Sequence, residues 1–589
     1  MFRYTVTPDP HAHLLRVSLE LTPPQDAVTL HMPSWTSGSY LIRDYAGRIR
    51  GPRSNTGTLV QTDKCHWTVS GLTPGATLRI EWEAFTYSVG IHDAWLDDIR
   101  GFYNPAAVLL IPEGIDAPCL LDFSDCRFVP HCSLEPIGTH SFAASCTQEL
   151  LDAPVTFTSA KGEHCILNLS VCGIPHTLVF TGPGSSTLNK DLILQDAQAI
   201  LKTVLDFWGA APFRQYLFHI QIGPRLYGGL EHEASCVLQT DTLALPGTSE
   251  SSRPKDYEDF LTVFAHEYFH AWLVKHLRPA SFLPYKLERE CHTHDLWVFE
   301  GFTTYYENVL PFRAGVLDED KLLSLTSARF NRVREREGFH VESLSDASFN
   351  AWTHLYKQTP DSAYCQASYY GKGAVLAFML DAALRKAGFS LDEVLKTWFH
   401  EALADPQARS LPDGGFFERI PVASIAERFK KLVTSSDRIL WENEWRCALS
   451  TLGMSEEADK NTPASRMHLG LQLDGLRVRY AESRGSAYAA GLFAGDEIIA
   501  VNGLRADAAT IERMIAQAKG STVHIHYFRE HLLRSAEIEM HGNPLPQRGT
   551  LTVKNPTELG RACSSASNRQ AGGRASPATC WRRRSDHTR

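Results

Sequence analysis

The feature that most constrains this chain is the run DFLTVFAHEYFHAWLVKHL over residues 259–277. Apolar residues dominate it at the spacing of a buried helix, which the pattern predicts over about 257–277. His266, Glu267 and His270 nevertheless sit in its middle. Polar groups in such a segment are expensive to bury unless something satisfies them. On a helix, residues four apart share a face, so both imidazoles can converge on one point with Glu267 beside it.

That arrangement suits a metal ion, and zinc is the natural one. Zinc accepts imidazole and carboxylate ligands and keeps an open tetrahedral position. It lowers the pKa of a bound water to about 7, and a carboxylate placed as Glu267 is then takes the proton. A single ion with His266 and His270 as ligands is expected. A third ligand is required. Glu300, in LWVFEGFTTYYE on the next expected helix, is a carboxylate in apolar surroundings thirty positions after His270. His292 and His294, from a polar loop, are its rivals. Thr303 and Thr304 follow Glu300 by one turn and are placed to orient ligands.

At 589 residues the chain has room for several domains. Its modest net charge of -9 and ordinary composition give no reason to expect nucleic acid. From His541 onward there are eight Arg and one Lys against one Glu and one Asp, so the preceding body is clearly acidic. An acidic body favours cationic ligands such as peptide amines. The N-terminus lacks an apolar run of signal-peptide length, and no stretch approaches 18 apolar residues, so neither export nor membrane spanning is expected. The 13 cysteines are odd in number, scattered and without a CxxC pair, and read as reduced thiols of a cytoplasmic protein.

The texture of the sequence changes along its length. LLRVSLEL, AVTLHMP, ATLRIEWEAFTYSV and CILNLSVCG predict short strands of a sandwich-like domain over 1–175. KDLILQDAQAILKTVLDFWG is an amphipathic helix closed by Gly209, and YLFHIQIG a buried strand. Helical patterns then recur to about residue 453. From about 466, strands surround short helical pieces. The tail is rich in Ser, Arg, Gly and Ala and cannot bury enough apolar surface to offset its ordering entropy, so disorder is expected over 546–589.

AHEYFHAWLVKHLRP followed by LWVFEGFTTYYE resembles the glycyl aminopeptidase family of zinc peptidases, part of the thermolysin-like group with a glutamate third ligand. MPSWTSGSYLIRDYAGRI at 32–49, YGGLEHEAS at 227–235, SYYGKGAVLAFMLD at 368–381 and GLFAGDEIIAVNG at 491–503 extend the resemblance over about residues 1 to 540. It implies a multidomain α+β protein. A β-sandwich-like domain at 1–175 precedes a thermolysin-like catalytic domain at 176–315, a helical domain at 316–455 and a PDZ domain at 456–545.

The resemblance also implies roles. Glu231 would bind the substrate's free amine, with Gly228 and Gly229 letting the backbone approach the peptide. Tyr370 would donate its hydroxyl to the oxyanion, with the adjacent Tyr369 as rival. The family's usual Trp-Asn-Val-Lys-Arg after the second histidine is here Trp272-Leu273-Val274-Lys275-His276. HLGLQL at 468–473 has the makings of a loop for a peptide C-terminus. The expected activity is removal of small N-terminal residues, glycine or alanine, from peptides. An endopeptidase on the same scaffold, or an inactive PDZ-bearing binding protein, are the alternatives.

Overall fold

The computed structural model describes residues 1–123, 127–248, 253–458, 462–518, 522–540 and 549–553. The architecture is multidomain α+β, β-rich at the N-terminus, largely helical from Tyr257 to Leu452 and β-rich again among the described residues beyond.

The N-terminal part is built from one seven-stranded and two four-stranded sheets. Its first strand, Phe2–Asp9, buries Phe2, Tyr4 and Val6 and turns the intervening residues outward, the alternation of a half-buried strand. These inward faces form a core of their own, running from Phe2 to Phe157.

The next five strands belong to a different sheet. β1 (His164–Val171), β2 (Ile174–Thr181), β3 (Tyr216–Ile222), β4 (Gly228–Glu231) and β5 (Ser235–Thr240) pair in the order β1-β2-β3-β5-β4. CILNLSVCG, expected in the N-terminal sandwich, is therefore the edge strand β1 of this second sheet, and the N-terminal unit closes near residue 160 rather than 175. Local alternation cannot tell two sheets apart; only pairing does. β3 is buried along its whole length and parallel to both β2 and β5. β4 runs antiparallel to β5 and forms the other edge.

Five helices matter for the site. α1 (Lys190–Trp208) is capped by the Asn189 side chain and ended by Gly209 in the left-handed conformation. α2 (Tyr257–Phe269) carries the HEYFH segment. It stops eight residues earlier than its apolar pattern predicts. The chain turns through Val274, at φ 94°, and the turn remains apolar because it too is buried. α3 (Phe302–Arg313) follows directly on a π-helical turn, Trp297–Gly301. α4 (Glu319–Arg334) and α5 (Tyr369–Lys386) complete the set. The expected break between catalytic and helical domains at residue 315 is not a core boundary: one hydrophobic core runs from Cys165 to Leu452. It also takes in Trp35 and Tyr40 from the N-terminal unit and Leu551 from near the C-terminus.

Among the described residues, a third, separate core within 469–540 surrounds a six-stranded sheet running from Leu471–Asp474 to Leu532–Glu539. Gly549–Val553, expected to be disordered, is a strand antiparallel to Met454–Ala458. Buried Leu551 anchors it. The remainder of the expected disordered tail lies outside the described residues.

Candidate metal centre and substrate cleft

α2 presents His266 and His270 on one face at its C-terminal end, and the π-helical turn brings in Glu300. The His266 and His270 Nε2 atoms are 3.0 Å apart. Glu300 Oε2 lies 3.2 Å from the His270 Nε2 and 3.8 Å from that of His266. The centre of a triangle with those sides is about 2.0 Å from each corner, matching zinc–nitrogen and zinc–oxygen bond lengths of roughly 2.0–2.2 Å.

The outer nitrogens explain why the inner ones face each other. His266 Nδ1 is 2.7 Å from a Glu307 carboxylate oxygen, and His270 Nδ1 is 2.9 Å from the Leu273 carbonyl oxygen. Both partners are pure acceptors, so both Nδ1 atoms carry protons. When the rings are neutral, two nitrogen lone pairs and a carboxylate oxygen then point at one spot, which calls for a cation. Burial opposes charge on the His266 ring, yet Glu300 and Glu307 hold its pKa well above the usual value. The donor set fits a metal ion, and zinc in particular.

Several side chains fix this geometry. Tyr40, from the N-terminal unit, donates its hydroxyl to Glu300 Oε1 at 3.1 Å, leaving Oε2 for the centre. Arg329 of α4 holds Glu307 through a guanidinium–carboxylate pair. Thr303 donates to the Phe299 carbonyl at 2.6 Å and stands 3.5 Å from His270 Nδ1. The backbone carbonyl of Leu273 is what orients His270, so the change at that position from the family's asparagine leaves this contact intact. His292 and His294 turn away: His292 Nδ1 meets the Phe349 carbonyl and His294 Nδ1 the Ser345 hydroxyl.

Glu267 is buried beside the triad. Burial pushes its carboxyl up to about 8, with the two imidazoles pulling it down and Glu231 and Glu300 raising it further. Glu231, Glu267 and His270 each bring one donor atom within 4.8 Å of the others. Glycine is needed twice here. A side-chain carbon on Gly229 would overlap the Glu267 carboxylate, and one on Gly38, which sits at φ 91°, would lie 2.5 Å from Glu231 Oε2. Gly228 is also in the left-handed half, at φ 141°.

The cleft has a volume near 650 Å³ and is lined by Gly38, Tyr227–Glu231, the metal-centre residues, Tyr356 and Tyr370. Tyr370 lies over His266, ring centroids 6.4 Å apart, and its hydroxyl is 2.9 Å from that of Tyr356. Tyr369 is fully buried and absent from the lining.

Behind Glu231, one carboxylate joins three segments. Asp152 accepts from Lys275 Nζ at 2.7 Å, Ser37 Oγ at 2.9 Å and the Glu233 backbone N–H at 2.7 Å, and lies 3.1 Å from His232 Nδ1. Lys275 is fully buried. The residues just past Glu231 and the turn just past His270 are thus tied to the N-terminal unit. Glu307, Tyr40, Arg329 and Asp152 had escaped the sequence reading. Glu307 alone left a signal, two helical turns from Glu300 on the same face.

The model of the peptidase M61 N-terminal domain matches residues 3–159, and that of the M61 glycyl aminopeptidase matches 259–376. Among solved structures, the chain is similar to an aminopeptidase N family protein from Idiomarina loihiensis. The TM-score is 0.87 and the identity 28%, over 96% of this chain and 100% of that one. An M1 zinc metallopeptidase from Deinococcus radiodurans is a fainter likeness, at TM-score 0.43 and 13% identity over 74% of this chain and 94% of that one. Among curated proteins none matches. The chain is a metallo-aminopeptidase, a hydrolase. More particularly, residues 3–159 and 259–376 match the domains of the M61 glycyl aminopeptidase family.

Proposed function

We propose that the protein is a zinc aminopeptidase that removes small N-terminal residues, glycine or alanine, from peptides. The observation that carries this reading is the Glu231 carboxylate at the end of β4, buried against Gly38 and within 4.8 Å of donor atoms on Glu267 and His270. A buried carboxylate there suits a substrate ammonium and fixes how far the amine stands from the reacting bond.

His266, His270 and Glu300 would hold one zinc ion, which supplies Lewis acidity to the attacking water and the scissile carbonyl. Glu267 takes the water's proton and returns it to the leaving nitrogen. The Tyr370 hydroxyl faces the cleft and donates to the developing oxyanion. β4 is an edge strand, and Gly228 and Gly229 let a substrate backbone lie close along it. Ile91 and His92, from the N-terminal unit, wall the cleft. A cytoplasmic setting fits the ten described cysteines, all unpaired. No described helix is long and apolar enough to cross a membrane.

Residues 466–540 would be a PDZ-like module. Capture of a peptide C-terminus there has less support, because the Gly470 N–H already bonds the Arg466 carbonyl at 3.0 Å.

The test is a panel of peptides with free and N-acetylated termini, with and without chelator, run beside Glu267→Gln. Free-amine glycyl and alanyl peptides should be cleaved and the acetylated ones spared. Chelator should abolish activity. Glu267→Gln should retain zinc while kcat drops by about 10²–10⁴. Equal cleavage of acetylated peptides would overturn the amine-anchor role of Glu231 and favour an endopeptidase.

A further inference from the structure

The cleft has a second charged end. Glu231 and Gly38 close one extremity; the other is walled by α4, whose Arg329, Arg332 and Val333 face the same space, with Arg336 just beyond the helix. Spacings of three and four residues put Arg329, Arg332 and Val333 on one helix face, and Arg336 lines the same cleft from the turn that follows. Arg329 is committed to Glu307 and the Thr304 carbonyl. Among the described residues, Arg332 and Arg336 have no carboxylate partner, and neither has Arg479 of the C-terminal β unit, whose charge is felt at Arg336. The nearby carboxylates are engaged elsewhere: Glu335 pairs with Arg466, and Glu337 accepts from the Tyr480 hydroxyl and from Ser483. Arg336 is half-buried. Burial, then Arg479 and Arg332, lowers its pKa, so its charge stands among like charges. Arg332 is exposed and Arg336 half-buried, and guanidinium groups without a protein anion can take a carboxylate that arrives with the ligand.

The spacing suits a peptide. β4 measures about 10 Å from Glu231 to Gly228 at roughly 3.4 Å per residue. Tyr227, one residue further, lies within electrostatic reach of Arg329 and Glu307. A peptide of three or four residues spans about 10–14 Å when extended. With its amine at Glu231 and its backbone along β4, its last residue reaches the arginine end of the cleft.

We propose that Arg332 and Arg336 bind the C-terminal carboxylate of short peptide substrates, making the enzyme selective for tri- and tetrapeptides with both termini free. This rests on the aminopeptidase reading for the direction of the substrate, but it is tested separately. Trialanine and tetraalanine are compared as free acids and as C-terminal amides on the zinc-loaded full-length enzyme. KM for the acids should be about tenfold lower than for the amides, and raising ionic strength should narrow the gap. In Arg332→Ala/Arg336→Ala the acid-to-amide ratio should approach one, and the double lysine variant should keep part of the preference. The same peptide pairs titrated calorimetrically into zinc-loaded Glu267→Gln read the preference without turnover. Tighter binding of acids there, with no peptide cleaved by the native enzyme, would sink the aminopeptidase reading and leave this one standing. A ratio near one in the native enzyme and in the calorimetry, or an undiminished preference in the double alanine variant, overturns the proposal.

Discussion

Residue by residue, the site divides into what spacing reveals and what only folding assembles. The i, i+4 histidines announce themselves because a helix puts them together whatever surrounds it. Glu300 is legible because a carboxylate in an apolar segment needs a reason. Tyr370 separates from Tyr369 only when the helix phase is known, and Tyr40 lies 260 residues from the carboxylate it holds. Glu307 reads as an ordinary helical acid until His266 is seen to bond it. Its position fixes the His266 ring and raises the basicity of Nε2. Glu307→Gln should therefore weaken zinc binding by about 10- to 100-fold with the fold intact, as measured by competition against a chromogenic chelator. Unchanged affinity would mean that Arg329 and Glu307 serve only to pack α3 on α4.

The elements were legible as types more than as shapes. The helix of the HEYFH run ends at Phe269, short of its apolar pattern, because buried turns and buried helices share an apolar composition and the pattern does not mark where one becomes the other. The π-helical turn over 297–301 had no signal in the pattern. Its Gly301 crosses Gly373 of α5 so closely that an added side-chain carbon would lie 2.6 Å from the Gly373 Cα. Two backbones in contact cannot yield as side chains do, so Gly301→Ala must displace the turn that carries Glu300. It should cost about 1–3 kcal/mol in chemical denaturation and also lower metal affinity. Loss of stability alone, with zinc bound as tightly as before, would show that Glu300 is placed independently of this crossing.

At the scale of the whole molecule, the N-terminal unit completes the site. It supplies Tyr40 to Glu300, Gly38 to Glu231, and Asp152 to both the strand end and the turn beyond His270. No sequence pattern announces contacts between residues 123 positions apart, as Asp152 and Lys275 are. Removing one member of a buried ion pair leaves the other uncompensated, so Asp152→Asn should lose about 3–5 kcal/mol of stability. Acid should act through the same interior. Burial holds the pKa of His92 near 3 and those of His131, His176 and His276 near 4. These folded-state values lie below the unfolded value of about 6.5, so below that pH the unfolded chain binds the extra protons. The stability they contribute is full above pH 6.5 and is lost as pH falls toward 4. Asp152, held below the usual carboxylate range by Lys275 and His232 against the cost of burial, adds its loss only below about 4. Through these groups, thermal midpoints should decline as pH falls from about 6.5 and fall more steeply near 4. A midpoint constant from pH 7 to 5 would mean that these histidines meet water in solution.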